Sequence, residues 1–203
     1  MFIELTDHLR CPAEHDESFL VLLPGLMEGR SVRTGDLGCP VCGRTFQIKD
    51  GVFDTGDAPT FKDNGSVLDA DALTALIGLS GPGGYLTLVG AAGALWSQVA
   101  EQNSGVALVA VNPPASVVEG SGISVIRSGR LPLKSGSIRG VVLSRPFADD
   151  PAWVKEAARV VLSGLRVVGE GKDPPSEIIE LLASAEGVWV GTASRRDRSL
   201  RSG

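Results

Sequence analysis

Hydrophobic and polar positions follow two different patterns along this chain. From Tyr85 onward, short apolar runs alternate with helical patterns: Tyr85–Val89, a helix over Ala94–Asn103, Val106–Val111, a turn or short helix over Ala115–Glu119, and Ile123–Ile126. The alternation continues through Gly140–Leu143, a helix over Pro151–Leu162, Leu165–Val168, a helix over Ser176–Ala183 and Val188–Gly191. Strands apolar at nearly every residue are buried on both faces, so this order predicts an α/β fold with a doubly wound, mostly parallel sheet. A further helix is expected over Ser66–Ile77, where Leu68, Ala72, Leu73, Leu76 and Ile77 share a face and Gly78 stands at the stop position.

The first sixty residues read differently. Ser18–Leu23, Ser31–Leu37 and Thr45–Ile48 are short strand patterns, and Asp50-Gly51 is a hairpin turn into Val52-Phe53. The stretch Gly56–Gly65 is rich in Gly, Pro, Asp and Asn and reads as a boundary. The expected organisation is a small β domain over 1–56, a linker over 57–65, an α/β domain over 66–193 and a basic tail over 194–203.

Composition and charge narrow the partners. At 203 residues and 43% apolar, the chain can build a sizeable core. No run approaches a membrane span, and Met1–Arg10 carries acids where a secretory leader is basic and then apolar, so a cytoplasmic protein is expected. The net charge of −5 lies entirely in residues 1–60, which hold five Lys/Arg against ten Asp/Glu. An acidic N-terminal part is a poor grip for a phosphate backbone, so neither nucleic acid nor membrane is an expected partner.

Three cysteines suit a metal better than a disulfide framework. Cys39-Pro40-Val41-Cys42-Gly43 is a knuckle that turns tightly enough to aim two thiolates at one ion, and Cys11-Pro12 supplies a third. Tetrahedral zinc needs a fourth ligand. His15, four residues after Cys11, is the first candidate and His8 the second; the alternative is a ribbon that has lost its metal.

Together, Cys11-Pro12 and Cys39, Cys42, Phe46, Ile48, Asp50, Gly51 and Val52 resemble the small zinc-ribbon family that activates tRNA, rRNA and translation-factor methyltransferases. The family commonly shows a second cysteine where this chain has Ala13-Glu14-His15. The resemblance implies a protein-binding module that covers apolar surface on a methyltransferase and does no chemistry.

A second resemblance covers roughly residues 70–192. Tyr85–Gly93 reads as the first strand, glycine turn and helix start of a nucleotide-binding fold. Leu131–Ser144, Asp150-Pro151 and Glu156–Gly164 are similar to class I S-adenosylmethionine-dependent methyltransferases of the quinone-biosynthesis type. That likeness implies parallel strands in order 3-2-1-4-5 and a sheet usually finished by two further strands, one antiparallel. Only Val188–Gly191 is clear here, so a sheet truncated at its C-terminal edge is expected.

The same likeness points to Gly90, Gly93 and Asn112 as what remains of a cofactor site. The family's acids are replaced by Thr87, Asn112, Arg130 and Arg139, and Val89 and Ala91 stand at glycine positions, Val89 being the sharpest steric objection. Each lost charge-assisted bond removes about 1.5–3 kcal/mol, so little or no S-adenosylmethionine binding is expected. No Ser-His-Asp or Cys-His arrangement is available, and Asn112-Pro113-Pro114 lacks the aromatic residue of a substrate-amine motif, so no catalytic residue is assigned. The expected function is a non-catalytic methyltransferase-like scaffold or partner subunit, its zinc ribbon contacting a protein partner or a second copy. The alternatives are an active methyltransferase with an unusual pocket and, more distantly, a binder of another anionic nucleotide through Arg130, Arg139 and Arg145.

Overall fold

The computed structural model describes residues 1–62, 64–120 and 122–194; the arginines at 195, 196, 198 and 201 lie outside the described residues. The N-terminal part begins with a 3-10 turn, Ile3–His8, and continues with β1 (Val21–Pro24), β2 (Met27–Glu28), β3 (Ser31–Val32), β4 (Gly35–Gly38), β5 (Thr45–Lys49) and β6 (Val52–Asp54). After the linker come α1 (Ala70–Ile77), β7 (Tyr85–Val89), a 3-10 turn over Gly90–Leu95, α2 (Trp96–Gln102), β8 (Ala107–Val111), β9 (Ile123–Arg127) and β10 (Gly140–Leu143). The chain finishes with α3 (Pro151–Val160), β11 (Arg166–Glu170), β12 (Ile179–Ala185) and β13 (Val188–Ala193).

Local chemistry explains the element ends. Asp69 caps α1 by accepting from the Ala72 N–H at 2.8 Å, and Gly78 closes it in the left-handed region at φ 60°. Asp150 caps α3 in the same way through the Ala152 N–H at 2.9 Å, with Pro151 in the first turn. Asp50 and Gly51, at φ 49° and 77°, turn β5 back into β6.

Among the described residues, eleven strands share one sheet in the order β1-β4-β5-β6-β9-β8-β7-β10-β11-β13-β12. The five central parallel strands therefore run 3-2-1-4-5, as expected. Two departures from the sequence reading sit at the edges.

At the C-terminal edge, Ile179–Ala185 is a strand, so the expected helix over Ser176–Ala183 and the expected truncation are both corrected. Here β13 runs antiparallel to β11 and to β12, which completes the sheet with two more strands. The run Ile-Glu-Leu-Leu-Ala-Ser-Ala has helical composition, but Glu186 and Gly187, at φ 53° and 75°, form a two-residue hairpin turn that pairs it with β13.

At the other edge, β6 lies parallel to β9, with Val52, Phe53 and Asp54 opposite Val125, Ile126 and Arg127. The N-terminal part thus continues the central sheet. It also covers one of the sheet's faces. Met1, Leu5 and Leu9 pack with Val109, Val111, Ile126 and Leu133 in the same core cluster as Trp153, Val154 and Ala157 of α3. The opposite face is covered by α1 and α2 through Leu73, Ile77 and Val99, which pack on Leu86, Leu88 and Leu108. Among the described residues, the connections between β8 and β9 and between β9 and β10 hold no helix, and the expected Ala115–Glu119 element is only a turn. The N-terminal 3-10 turn lies on the face of the β9–β10 connection, in one cluster with Leu131, Leu133 and Ile138, whereas Val117 of the β8–β9 connection packs on the other face.

A buried charge joins these parts. Glu119, with its side chain 2% exposed, pairs with Arg33 and with the N-terminal ammonium at 2.7 Å. Two cations on one carboxylate offset much of its desolvation cost.

Candidate metal and strand-end sites

The β4–β5 hairpin loop is the knuckle. Its Gly43, at φ 70°, returns an N–H to the Cys39 carbonyl at 3.0 Å, while the Cys39 N–H reaches the Arg44 carbonyl at 2.9 Å. That tight loop turns Cys39 and Cys42 toward Cys11 and His15. The ligand atoms of Cys11, His15, Cys39 and Cys42 all lie within 4.8 Å of one another. Cys11 and Cys42 sulfurs are 3.7 Å apart, and the Cys39 sulfur is 3.5 Å from His15 Nε2.

Tetrahedral zinc, with bonds of about 2.3 Å to sulfur and about 2.0 Å to nitrogen, sets sulfurs about 3.8 Å apart and sulfur about 3.5 Å from nitrogen. The donor set fits such an ion. His15 Nδ1 lies 2.6 Å from the Asp16 carbonyl oxygen, which can only accept, so Nδ1 carries the proton and Nε2 presents its lone pair. All four positions are filled by protein groups, the arrangement of a structural site with no open position for substrate.

The thiols differ in acidity. Burial pushes the Cys11 thiol up to about 12. Burial also acts to raise Cys39, but the backbone N–H groups of Cys42 and Val41 and the neighbouring thiols outweigh it and bring Cys39 down to about 6. His8 is not part of the cluster. Its ring stands edge-on to Tyr85 at 5.0 Å, and its Nδ1 is buried without a hydrogen-bond partner.

The loop carrying Cys11 and His15 is fastened to the α/β part. Arg130 donates to the Pro12 carbonyl at 3.0 Å, and Glu17 accepts from Arg159 at 3.1 Å and from the Ser135 N–H. An ion at the cluster would therefore tie the first residues of the chain, the knuckle and the α/β part together.

The second candidate site lies at the C-terminal ends of the central strands. The structure does bring Gly90, Gly93 and Asn112 to this edge. Gly90 needs its glycine: it sits at φ 70°, and a Cβ there would stand 2.6 Å from Ser144 Oγ and 2.8 Å from the Phe147 ring. A Cβ on Gly93 would meet Pro113 at 2.8 Å. The space beside the turn is thus filled by side chains from the β8 and β10 ends. Ser144 Oγ donates to the Val89 carbonyl at 2.9 Å, and Phe147 packs edge-on against Trp153 and Phe61.

Asn112 is 2% exposed and sits at φ 49°. Its Nδ2 donates to the Ser128 carbonyl at 2.7 Å, and its Oδ1 accepts from the Ser128 N–H at 2.9 Å. Both polar atoms face protein.

Three expectations about this edge are corrected. Val89 is an extended strand residue, φ −108° and ψ 130°, and packs in the core, so it obstructs neither the turn nor its backbone angle. Arg139 opens β10 at the opposite edge of the sheet, where it donates to the Ser80, Gly81, Pro82 and Gly83 carbonyls. Arg130, Arg139 and Arg145 do not converge: Arg130 is on Pro12, and Arg145 pairs with Asp149 at 3.7 Å. Sequence reasoning missed Ser144, Phe147, Phe61 and Asp57 at this edge. No local signal marks the last two, because they arrive from the linker.

No family model matches the sequence, and no curated protein matches it. Part of the chain is similar to solved methyltransferases. A geranyl diphosphate methyltransferase in complex with GPP and sinefungin is 18% identical over 49% of this chain and 42% of its own, with a TM-score of 0.43. A Methanococcus maripaludis putative S-adenosyl-L-methionine-dependent methyltransferase is 12% identical over 62% of this chain and 83% of its own, with a TM-score of 0.45. A complex between the Haloferax volcanii Trm112 methyltransferase activator and the putative methyltransferase gives 16% identity over 49% of each chain and a TM-score of 0.40. The chain spans less than half the length of the first of these. Among the described residues, no helix is long and apolar enough to cross a membrane.

Proposed function

We propose that this is a methyltransferase-like scaffold whose cofactor site is eroded and whose N-terminal unit is a zinc ribbon docked in cis. The observation that carries this reading is the clasp of Asn112 on Ser128. The residue expected to anchor a ribose spends both its polar atoms on the neighbouring strand end. A ligand would have to break both bonds in a buried place, leaving partners unpaired. The filled cradle at Gly90 supports the same reading.

In this reading zinc is held by Cys11, His15, Cys39 and Cys42 and supplies a cross-link rather than chemistry. The unit 1–56 covers apolar surface, as its resemblance implies, but the surface is the chain's own: the β9 edge and the face over β8 and β9. The sheet's outer strands are then the surface left for a protein partner or a second copy. Calorimetric titration of the zinc-loaded protein with S-adenosylmethionine and S-adenosylhomocysteine tests the reading. No heat of binding is expected up to millimolar ligand; micromolar affinity for either compound would falsify it.

A further inference from the structure

The segment joining the two parts of the chain follows an unusual path, and the cause is the direction of β6. Because β6 runs parallel to β9, it leaves the sheet at the edge where the central strands have their C-terminal ends. The Thr55 N–H continues the pairing by donating to the Arg127 carbonyl at 2.9 Å. From there the chain crosses the strand ends.

Three attachments mark the crossing. At the end of β9, Asp57 Oδ1 accepts from the Gly129 N–H at 2.8 Å and from Thr55 Oγ1. At the ends of β7 and β10, Phe61 stands edge-on to Phe147 with ring centres 5.0 Å apart, and Phe147 in turn lies on Gly90. At the end of β11, the buried Glu170 accepts from the Ser66 hydroxyl and, at 3.3 Å, from the Leu68 N–H. Lengths agree with a direct crossing. Four residue steps from Asp57 to Phe61 reach about 13–14 Å when extended, and three strand spacings from β9 to β10 come to about 14 Å. Residues 57–62 have no secondary structure of their own, and Pro59 limits the ways the middle can bend.

Ligands of open α/β sheets bind at this edge. We propose that residues 55–61 form a built-in strap that occupies the strand-end crevice in place of a ligand, with Asp57 on the Gly129 amide and Phe61 over the Phe147–Gly90 contact as its two fastenings. The proposal builds on the eroded-site reading but does not need it: a strap covers the crevice whether or not the crevice beneath can still bind. Asp57 also brings a carboxylate to the end of β9, where the chain itself offers only Gly129-Arg130.

The test compares full-length, zinc-loaded wild type with the double variant Asp57→Ala/Phe61→Ala. The readouts are hydrogen exchange of peptides spanning residues 88–95 and 45–49, and calorimetric titration with S-adenosylhomocysteine. The variant is expected to exchange about tenfold or more faster over 88–95 with the 45–49 peptide unchanged. If the double variant does not fold, Asp57→Asn and Phe61→Leu, confirmed folded by near-ultraviolet circular dichroism, take its place with the same readouts. Unchanged exchange over 88–95 in a folded variant overturns the strap. Binding of S-adenosylhomocysteine by wild type, with exchange of residues 55–61 undisturbed, also overturns it, because ligand and strap would then coexist. Binding by the variant alone upholds the strap as a gate and overturns the eroded-site reading instead.

Discussion

The side-chain amide of Asn112 holds Ser128 by both of that residue's main-chain groups, donating at 2.7 Å and accepting at 2.9 Å. A side-chain amide suits this clasp and a carboxylate does not, since one end must donate and the other accept. Asn112→Asp keeps the acceptor but sets a carboxylate oxygen against the Ser128 carbonyl in a buried place. We expect it to destabilise the fold by about 2–4 kcal/mol in urea unfolding, and to gain no affinity for S-adenosylhomocysteine. A variant as stable as wild type would show that the clasp does not hold the strand ends together.

Elemental analysis of protein purified without chelator should find one zinc per chain. Cys39→Ser and Cys42→Ser should lose it, and His15→Ala should weaken it, whereas His8→Ala should keep it. Because an ion held there would tie the first residues to the α/β part, its removal should lower the melting temperature by about 10 °C or more. A melt unaffected by chelation would mean that the four residues meet without a structural ion.

His8 carries the clearest pH signature away from the metal ligands. Burial lowers its pKa below the ordinary 6.5, with nearby Asp7 opposing and Arg10 and Lys134 assisting. The unfolded chain therefore binds a proton more readily than the folded one. Stability from this residue is complete above pH 6.5 and is lost as the pH falls below it. Melting curves between pH 7.5 and 5.5 should flatten in His8→Phe, with the zinc content of both proteins verified at each pH. The same slope in both would assign the acid sensitivity elsewhere.

Arg139→Ala probes the other edge of the sheet. The guanidinium gathers the carbonyls of residues 80–83, so its loss should cost about 1–2 kcal/mol and speed exchange of amides in that loop. Titration with S-adenosylhomocysteine should give the same result as wild type, since the residue lies far from the strand C-termini. An unchanged loop would make Arg139 an ordinary surface charge.

Much of the fold was legible in the chain because the central strands have only one way to be buried. Tyr85–Val89 and Gly140–Leu143 are buried throughout and, Thr87 apart, carry no polar side chain, and Asp69, Gly78 and Asp150 mark helix ends by their own chemistry. The meeting of Cys11, His15, Cys39 and Cys42 was legible for a similar reason: thiols and an imidazole at knuckle spacing have few other uses. Ile179–Ala185 was misread because only Ile179 is buried, which leaves no periodicity to separate strand from helix. The strand-end site was the least legible part. Phe147 and Asp57 lie in residues remote from the glycine turn, and only the pairing of β6 with β9 shows that the linker must pass over it.

That same pairing bears on how the molecule unfolds. With β6 in the central sheet, and Met1, Leu5 and Leu9 in one cluster with the α3 residues, cutting the chain near residue 57 would not release two independent folding units. The N-terminal fragment would retain its knuckle but lose most of its burial. The larger fragment would expose the β9 edge and the apolar face above it, a surface prone to aggregation. Denaturation should then proceed as a single cooperative transition, with loss of the metal signal and of the central sheet coinciding on one curve.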